Sequence, residues 1–542
     1  MAELSQHSKE VARGSFWSLL GSAFFKLVSF AYVILIARAA SQDDLGTFYL
    51  ALSAMSLVWM FSDFGISGAF TRYVPYFEGK NERGKIRDLL TMSYKYLTLF
   101  SLAIMAVLFW QADNIGALYG NAGLPEAIRI LSAYVLLGNL FRLNYLYLQG
   151  IADIRGSQLY QNLQNLLKLV VTALLFFAFG ASVMTVSAGF VLSFLLAFAA
   201  SCVPVFRSAA SMRGGQGLGR QEIAGEIIPL GLTVAVVSYF TTIIASSDRL
   251  ILGYVSDPAS SSALVAVYSM ATTLASVLMV FPGSVGSIFL PLVSRLSGKN
   301  DLEGMREVMA TAQRWALFIT MPIAAVMIAF SADMLTVFYG SNYAPGAASM
   351  SLFTLGLVIA SFSFMVSLTL TAMRLVKIEL MVAAASGIVN VALNLLLIPQ
   401  YGMEGAAAAS LVSFMISTLL LTHYAKKLIG FANPPEAYKL LFAMILVLLA
   451  VFLARPLVSD AASAIIAQAG AGEYAPKAIY LAYLALLIGL SGALFVAVSL
   501  ALKCFREEDI GLMRKVLDRA GIPEQLSVVA EKVASYGVHG KK

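Results

Sequence analysis

Three cations interrupt three strongly apolar stretches of this sequence. Lys26 lies in "SFWSLLGSAFFKLVSFAYVILIAR" (15–38), Arg142 in "LLGNLFRLNYLYLQG" (136–150) and Lys168 in "LYQNLQNLLKLVVTALLFFAFG" (159–180). Holding a charge at the centre of hydrocarbon costs at least ~2.5–3.5 kcal/mol, so such residues are kept for what they bind. In a low dielectric, uncompensated positive charge attracts an anion such as phosphate far more strongly than in water. Arg offers a two-pronged fork to such a group and Lys a point charge. Amides nearby, Asn144, Gln161, Asn162, Gln164 and Asn165, supply hydrogen bonds, as do Asn390 and Asn394, four residues apart on one helical face. Asp63 is the one acid expected at comparable depth.

The elements that position these residues must be membrane helices. Of 542 residues, 59% are hydrophobic and 12% charged, and the mean hydropathy is +0.81, against about 45–50% and 25% in soluble domains. Apolar runs of about 20 residues, enough to cross a bilayer as helix, recur along the chain. Barrel strands would instead alternate over about 10 residues. Fourteen spans are expected, near 15–37, 45–71, 91–111, 127–149, 159–180, 183–206, 227–252, 262–290, 311–330, 346–372, 378–398, 403–424, 438–458 and 478–502.

Basic residues fall in every second gap: Arg72, Lys80, Arg83, Lys85 and Arg87; Arg155; Arg207, Arg213 and Arg220; Arg295, Lys299 and Arg306; Arg374 and Lys377; Lys426 and Lys427. By the positive-inside rule these gaps, and both termini, are cytoplasmic. The net charge of +7 then belongs to the membrane surface, and no compact basic domain exists for nucleic acid.

This orientation gives depths. Lys26 lies about 12 residues, roughly 18 Å, from the inner end of its span; Lys168 about 10 residues, roughly 15 Å; Arg142 about 7 residues, roughly 10 Å. Each has a plainer alternative: Lys26 could pair with Asp63, and Arg142 could snorkel to the inner interface. Lys168 is too deep to snorkel easily. The carboxy-terminal spans equivalent to these three are expected to carry Asn390 and Asn394 and almost no buried charge. Asp248-Arg249, near the outer end of the seventh span, reads either as a gating pair or as a coupling site. Arg38 reads as an interfacial anchor, and Tyr94, Tyr96, Tyr145 and Tyr147 as belt aromatics.

The chain repeats itself. "RYVPYFEGKNERGKIRDLL" (72–90) matches "PLVSRLSGKNDLEGMREVM" (291–309), with Gly79-Lys80-Asn81 on Gly298-Lys299-Asn300 at an offset of 219. "ADNIGALYGN" (112–121) matches "ADMLTVFYGS" (332–341), and Tyr49 in "LGTFYLALSAMSL" falls on Tyr268 in "ALVAVYSMATTL". An offset of six spans relates two copies of the same orientation, a plan that puts substrate and coupling sites at the repeat interface. The expected organisation is an N-lobe (1–206), a cytoplasmic linker (207–226), a C-lobe (227–428), two further spans (429–502) and an amphipathic cytoplasmic tail (503–542) around Ile510, Leu512, Met513, Val516 and Leu517.

Several chemistries are not encoded. Cys202 and Cys504 make no disulfide framework, and three histidines form no metal-ligand cluster. No phosphate-binding Gly-x-x-x-x-Gly-Lys-Ser/Thr occurs, and the loops are too short for a polymerase or ligase domain. Neither an enzyme nor a resident cofactor is expected. "IARAAS" after the first span includes a small-x-small pattern, yet the preceding apolar run exceeds a signal core of ~7–15 residues.

The duplication with two extra helices, "DDLGTFYLALSAMSLVWMFSDFGISGAFTRYVPYF" (43–77) and "SSDRLILGYV" (246–255) resemble the multidrug/oligosaccharidyl-lipid/polysaccharide exporter superfamily, nearest its Wzx-type polysaccharide flippases. The resemblance implies an all-α, MATE-like V of two six-helix lobes alternating between inward- and outward-facing states in the cell membrane. It implies export of a polyprenyl-(pyro)phosphate-linked oligosaccharide, with Lys26, Arg142 and Lys168 on the phosphate and Asn144, Asn165, Asn390 and Asn394 on the sugars. Asp63, Asp248 and Arg249 would serve coupling or gating, with proton or sodium coupling open. The expected state is a monomer, with membrane lipids and glycan-assembly enzymes as partners. The rival is a cation-coupled multidrug antiporter, for which the resemblance implies an intramembrane carboxylate in the first or seventh span; here the first has Lys26 and the seventh has Asp248 only at its outer edge, beside Arg249.

Overall fold

The computed structural model describes residues 24–63, 65–212, 217–219, 223–468 and 475–504, and their only regular structure is helical. Helix α1 occupies 24–39. It is followed by α2 (Gln42–Asp63), α3 (Ile66–Gly79), α4 (Arg83–Tyr119), α5 (Leu124–Gly150), α6 (Ile154–Phe179) and α7 (Val183–Ser211). One π-helical turn (Ile223–Ile227) leads into α8 (Ile228–Val255), α9 (Pro258–Ser276), α10 (Val280–Gly298), α11 (Leu302–Ala329), α12 (Ser331–Tyr339), α13 (Ala347–Ala372), α14 (Val376–Ile429), α15 (Pro435–Gln468) and α16 (Ala475–Ala501). Ten helical stretches among the described residues are long and apolar enough to cross a bilayer, and the chain is a multi-pass membrane protein. Residues 15–23 of the first expected span and the tail from 505 lie outside the described residues.

Two expected spans are broken. The stretch 45–71 splits between α2 and α3 at Gly65, whose φ of 76° is left-handed. The cause is tertiary: the Gly65 backbone lies against the backbone of Gly231 on α8, and a Cβ there would enter the Gly231 carbonyl. Asp63 restarts the helix: its Oδ1 accepts from Ser67 Oγ (2.7 Å) and from Ser67 N (3.2 Å), the latter one of the backbone donors left open at a helix start. Gly65→Ala is therefore expected to lower the melting temperature in detergent, by strain of about 1–3 kcal/mol plus the clash, as thermal unfolding would report. The stretch 262–290 is likewise divided by a 3-10 turn at Val277–Met279. By contrast, the expected break near 399–402 coincides with Gly402 (φ 55°, ψ −131°) inside α14, a conformation open essentially to glycine alone. Helix α4 is longer than its apolar segment: 37 residues rise about 56 Å, so its polar ends extend beyond the hydrocarbon.

The chain forms two compact units, one of Met1–Met270, Phe338–Asn342 and Val391–Ala406, the other of Ala271–Val337, Tyr343–Asn390 and Ala407–Lys542. The core of the first gathers Phe70, Phe77, Ile86, Leu89 and Tyr147, and that of the second Phe289, Val293, Met309, Val366 and Leu421. Backbone conformation repeats where the sequence does. Lys80 (φ −90°, ψ −1°) and left-handed Asn81 (φ 58°) join α3 to α4, as Lys299 (φ −93°, ψ −1°) and Asn300 (φ 54°) join α10 to α11. Left-handed Ala152 and Arg374, both at φ 61°, close α5 and α13 in the same way. An apolar run could not dictate these turns, whereas Asn tolerates left-handed backbone better than most residues.

Candidate anion-binding site in the membrane

All three cations belong to the first unit, and aromatic rings hold two of them. Lys168 on α6 is half-buried, with Nζ 4.6 Å from the ring centroid of Tyr32 on α1. Arg142 on α5 is exposed, its guanidinium carbon 5.3 Å from the ring centroid of Trp59 on α2. The ring quadrupole favours both placements and keeps Arg142 beside α2. Lys26, also exposed, precedes Tyr32 by six residues on α1, about 9 Å along the axis. Lys85–Glu82 and Arg129–Asp113 are ion pairs among the described residues; no ion pair joins Lys26 to Asp63, whose carboxylate caps α3 instead.

The amides divide into engaged and open groups. Asn144 is fully buried; its Oδ1 accepts from the Tyr94 hydroxyl and its Nδ2 donates to Ser201 Oγ at 2.9 Å, tying α5 to α4 and α7. Gln164 Nε2 donates to Ser193 Oγ at 3.1 Å. On α6, Asn165 is 1% exposed with no partner for Nδ2, and Asn162 Oδ1 is also without one. Two tyrosines expected in the belt are interior instead. Tyr94 serves Asn144 and stacks on Phe206 at 5.6 Å, and Tyr147 donates to Ser208 Oγ at 2.9 Å. A hydroxyl that finds a partner inside need not seek the interface.

A second polar centre in the same unit surrounds Asp248, 4% exposed on α8. Its carboxylate accepts from the Tyr268 hydroxyl on α9 and from Asn394 Nδ2 on α14, both at 2.6 Å. The neighbouring Arg249 lies 5.7 Å from the ring centroid of Tyr49 on α2. The two repeat-related tyrosines thus receive the two adjacent charges. Asn390, one turn before Asn394, is buried as well. Arg38 Nε donates to the Phe338 carbonyl at 2.8 Å, so this side chain binds backbone rather than serving only as an interfacial anchor.

Hydropathy concealed several members. Trp59, Asn139 and Tyr32 sit inside apolar runs, and nothing in their spacing marks them as neighbours of the cations. The second unit also holds a buried cation that the sequence reading did not single out: Arg314 is 3% exposed and donates to Thr311 Oγ1 at 3.3 Å. It lies twelve residues into α11, which begins at Leu302, and three residues inside the expected span 311–330.

Residues 35–348, more than half the chain, match the family described as "Polysaccharide biosynthesis protein". The uncharacterized membrane protein MJ1068 of Methanocaldococcus jannaschii is 21% identical over 374 residues, 66% of this chain and 72% of that protein. The probable low-salt glycan biosynthesis flippase Agl15 of Haloferax volcanii is 22% identical over 344 residues, 62% of this chain and 66% of that protein. Among solved structures, the lipid II flippase MurJ in an inward closed conformation matches with a TM-score of 0.65 at 16% identity, covering 89% of this chain and 99% of its own. A multidrug resistance MATE family transporter in its inward-facing conformation matches at 0.62 and 13% identity, covering 75% and 94%. The long apolar helices and the repeated turns fit a fold shared with MurJ and MATE-type transporters, and the family match decides membership: the chain belongs to the polysaccharide biosynthesis protein family.

Proposed function

We propose that this protein is a flippase that moves a polyprenyl-(pyro)phosphate-linked oligosaccharide from the cytoplasmic to the outer leaflet of the cell membrane by alternating access. The observation that carries this reading is the set of three cations on membrane helices, Lys26, Arg142 and Lys168, with no acidic partner among the described residues. Those cations take the lipid phosphate, and the open amide of Asn165, beside Lys168 on α6, takes a sugar hydroxyl. Fourteen spans, six plus six plus two with both termini inside, complete the architecture. The protein works as a monomer among the enzymes that assemble the glycan. Agl15, a relative by sequence, and MurJ, a relative by fold, are both named as flippases, which supports this reading.

A second reading, a cation-coupled multidrug antiporter, draws on one specific observation: the buried Asp248 carboxylate with its two donors. In the flippase reading the same carboxylate couples transport to protons or sodium. Proteoliposomes separate the two. Purified protein is expected to bring a fluorescent polyprenyl-pyrophosphate oligosaccharide to the opposite leaflet and to leave a cationic dye unmoved. Dye export without lipid flipping would establish the antiporter instead.

A further inference from the structure

A closed polar ring lies beneath Arg142. The Trp59 indole N–H donates to Asn139 Oδ1. Asn139 Nδ2 donates to Ser62 Oγ at 2.5 Å and to Ser101 Oγ at 2.9 Å. Ser62 Oγ–H closes the circuit by donating to the Trp59 carbonyl. Asn139, Ser62 and Ser101 are all buried. The amide can stand only one way round, because a flipped Asn139 would turn its NH2 onto the indole N–H. Trp59 is therefore pinned at its carbonyl and at its ring nitrogen, and Tyr134 packs against it at 5.6 Å. The fixed ring carries the Arg142 guanidinium 5.3 Å from its centroid.

An exposed arginine ordinarily samples many rotamers, and ordering them opposes binding. Contact with a ring face restrains the group yet consumes none of its five N–H donors. We propose that Trp59 and Asn139 are positioning residues that hold the Arg142 guanidinium ready for the phosphate of the lipid headgroup, without themselves touching substrate. The inference rests on the phosphate role given to Arg142 above. It adds that the affinity of Arg142 for phosphate depends on a pinned indole and on the amide that pins it.

The test measures flipping of the polyprenyl-pyrophosphate probe as KM and maximal rate, for Trp59→Leu, Trp59→Phe and Asn139→Leu, alone and combined with Arg142→Ala. Trp59→Leu is expected to raise KM about three- to thirtyfold, the range of a cation–π contact from exposed to desolvated, with little change in maximal rate. Trp59→Phe keeps a ring and rescues most of that loss, and Asn139→Leu falls between them. In the Arg142→Ala background none of the three raises KM further. An equal rise in that background, or a loss of maximal rate alone, overturns the inference. If Trp59→Leu does not fold, the Trp59→Phe and Asn139→Leu cycles carry the same test. Arg142→Ala without effect, while Lys168→Ala raises KM, removes the positioning role and leaves the phosphate reading on the lysines. Indifference to Lys26→Ala, Arg142→Ala and Lys168→Ala alike removes both.

Discussion

Lys168→Ala is expected to slow flipping of a polyprenyl-pyrophosphate oligosaccharide by about ten- to hundredfold while leaving the melting temperature unchanged or raised. The first half follows from the worth of a hydrogen bond between charged groups, about 1.5–3 kcal/mol, with each 1.4 kcal/mol a factor of ten. The second follows from what surrounds the lysine now. Its Nζ faces the Tyr32 ring and no carboxylate among the described residues, so the charge is retained at a cost that alanine removes. A structural lysine would show the opposite pattern, with stability falling and the flipping rate of the surviving protein intact. Lys168→Arg keeps the charge and should retain much of the rate, although its fork need not fit a point-charge position. Rates in proteoliposomes and thermal melts of the same preparations decide between these patterns.

What could be foreseen of this site, and what could not, follows from the kind of signal each feature leaves. A charge in an apolar run is visible in the chain itself, so Lys26, Arg142 and Lys168 were legible before any fold was known. The helices around them were legible from length and hydropathy, because a bilayer demands about 20 apolar residues per crossing. The break at Gly65 was not, since the interruption comes from Gly231, over 160 residues away. Partners were hidden for the same reason: hydropathy does not say which faces meet, so neither the stacking of Arg142 on Trp59 nor the Asn144–Tyr94 bond could be read. Arg314 was just as visible, three residues inside the expected span 311–330, but hydropathy does not report that packing buries it. The repeat, however, already paired Tyr49 with Tyr268, and those two residues take up Arg249 and Asp248.

That pairing leads to the second large effect, at Asp248. Asp248→Asn is nearly isosteric and can still accept from the Tyr268 hydroxyl, but it cannot exchange a proton or bind a sodium ion as a carboxylate does. Transport driven by an imposed proton or sodium gradient is therefore expected to fall to the rate seen without a gradient, while equilibration of the lipid between leaflets continues. Asp248→Ala should do more. It leaves a buried hydroxyl and a buried amide without the acceptor they share, a penalty of about 1–3 kcal/mol for each group, so protein stability should fall along with coupling. The contrast between the substitutions separates charge from architecture. Initial flipping rates with and without each gradient, measured for wild type and both variants, give the answer. A full gradient response in Asp248→Asn would leave the carboxylate as a tie between α8, α9 and α14, and coupling would then have to reside in another group.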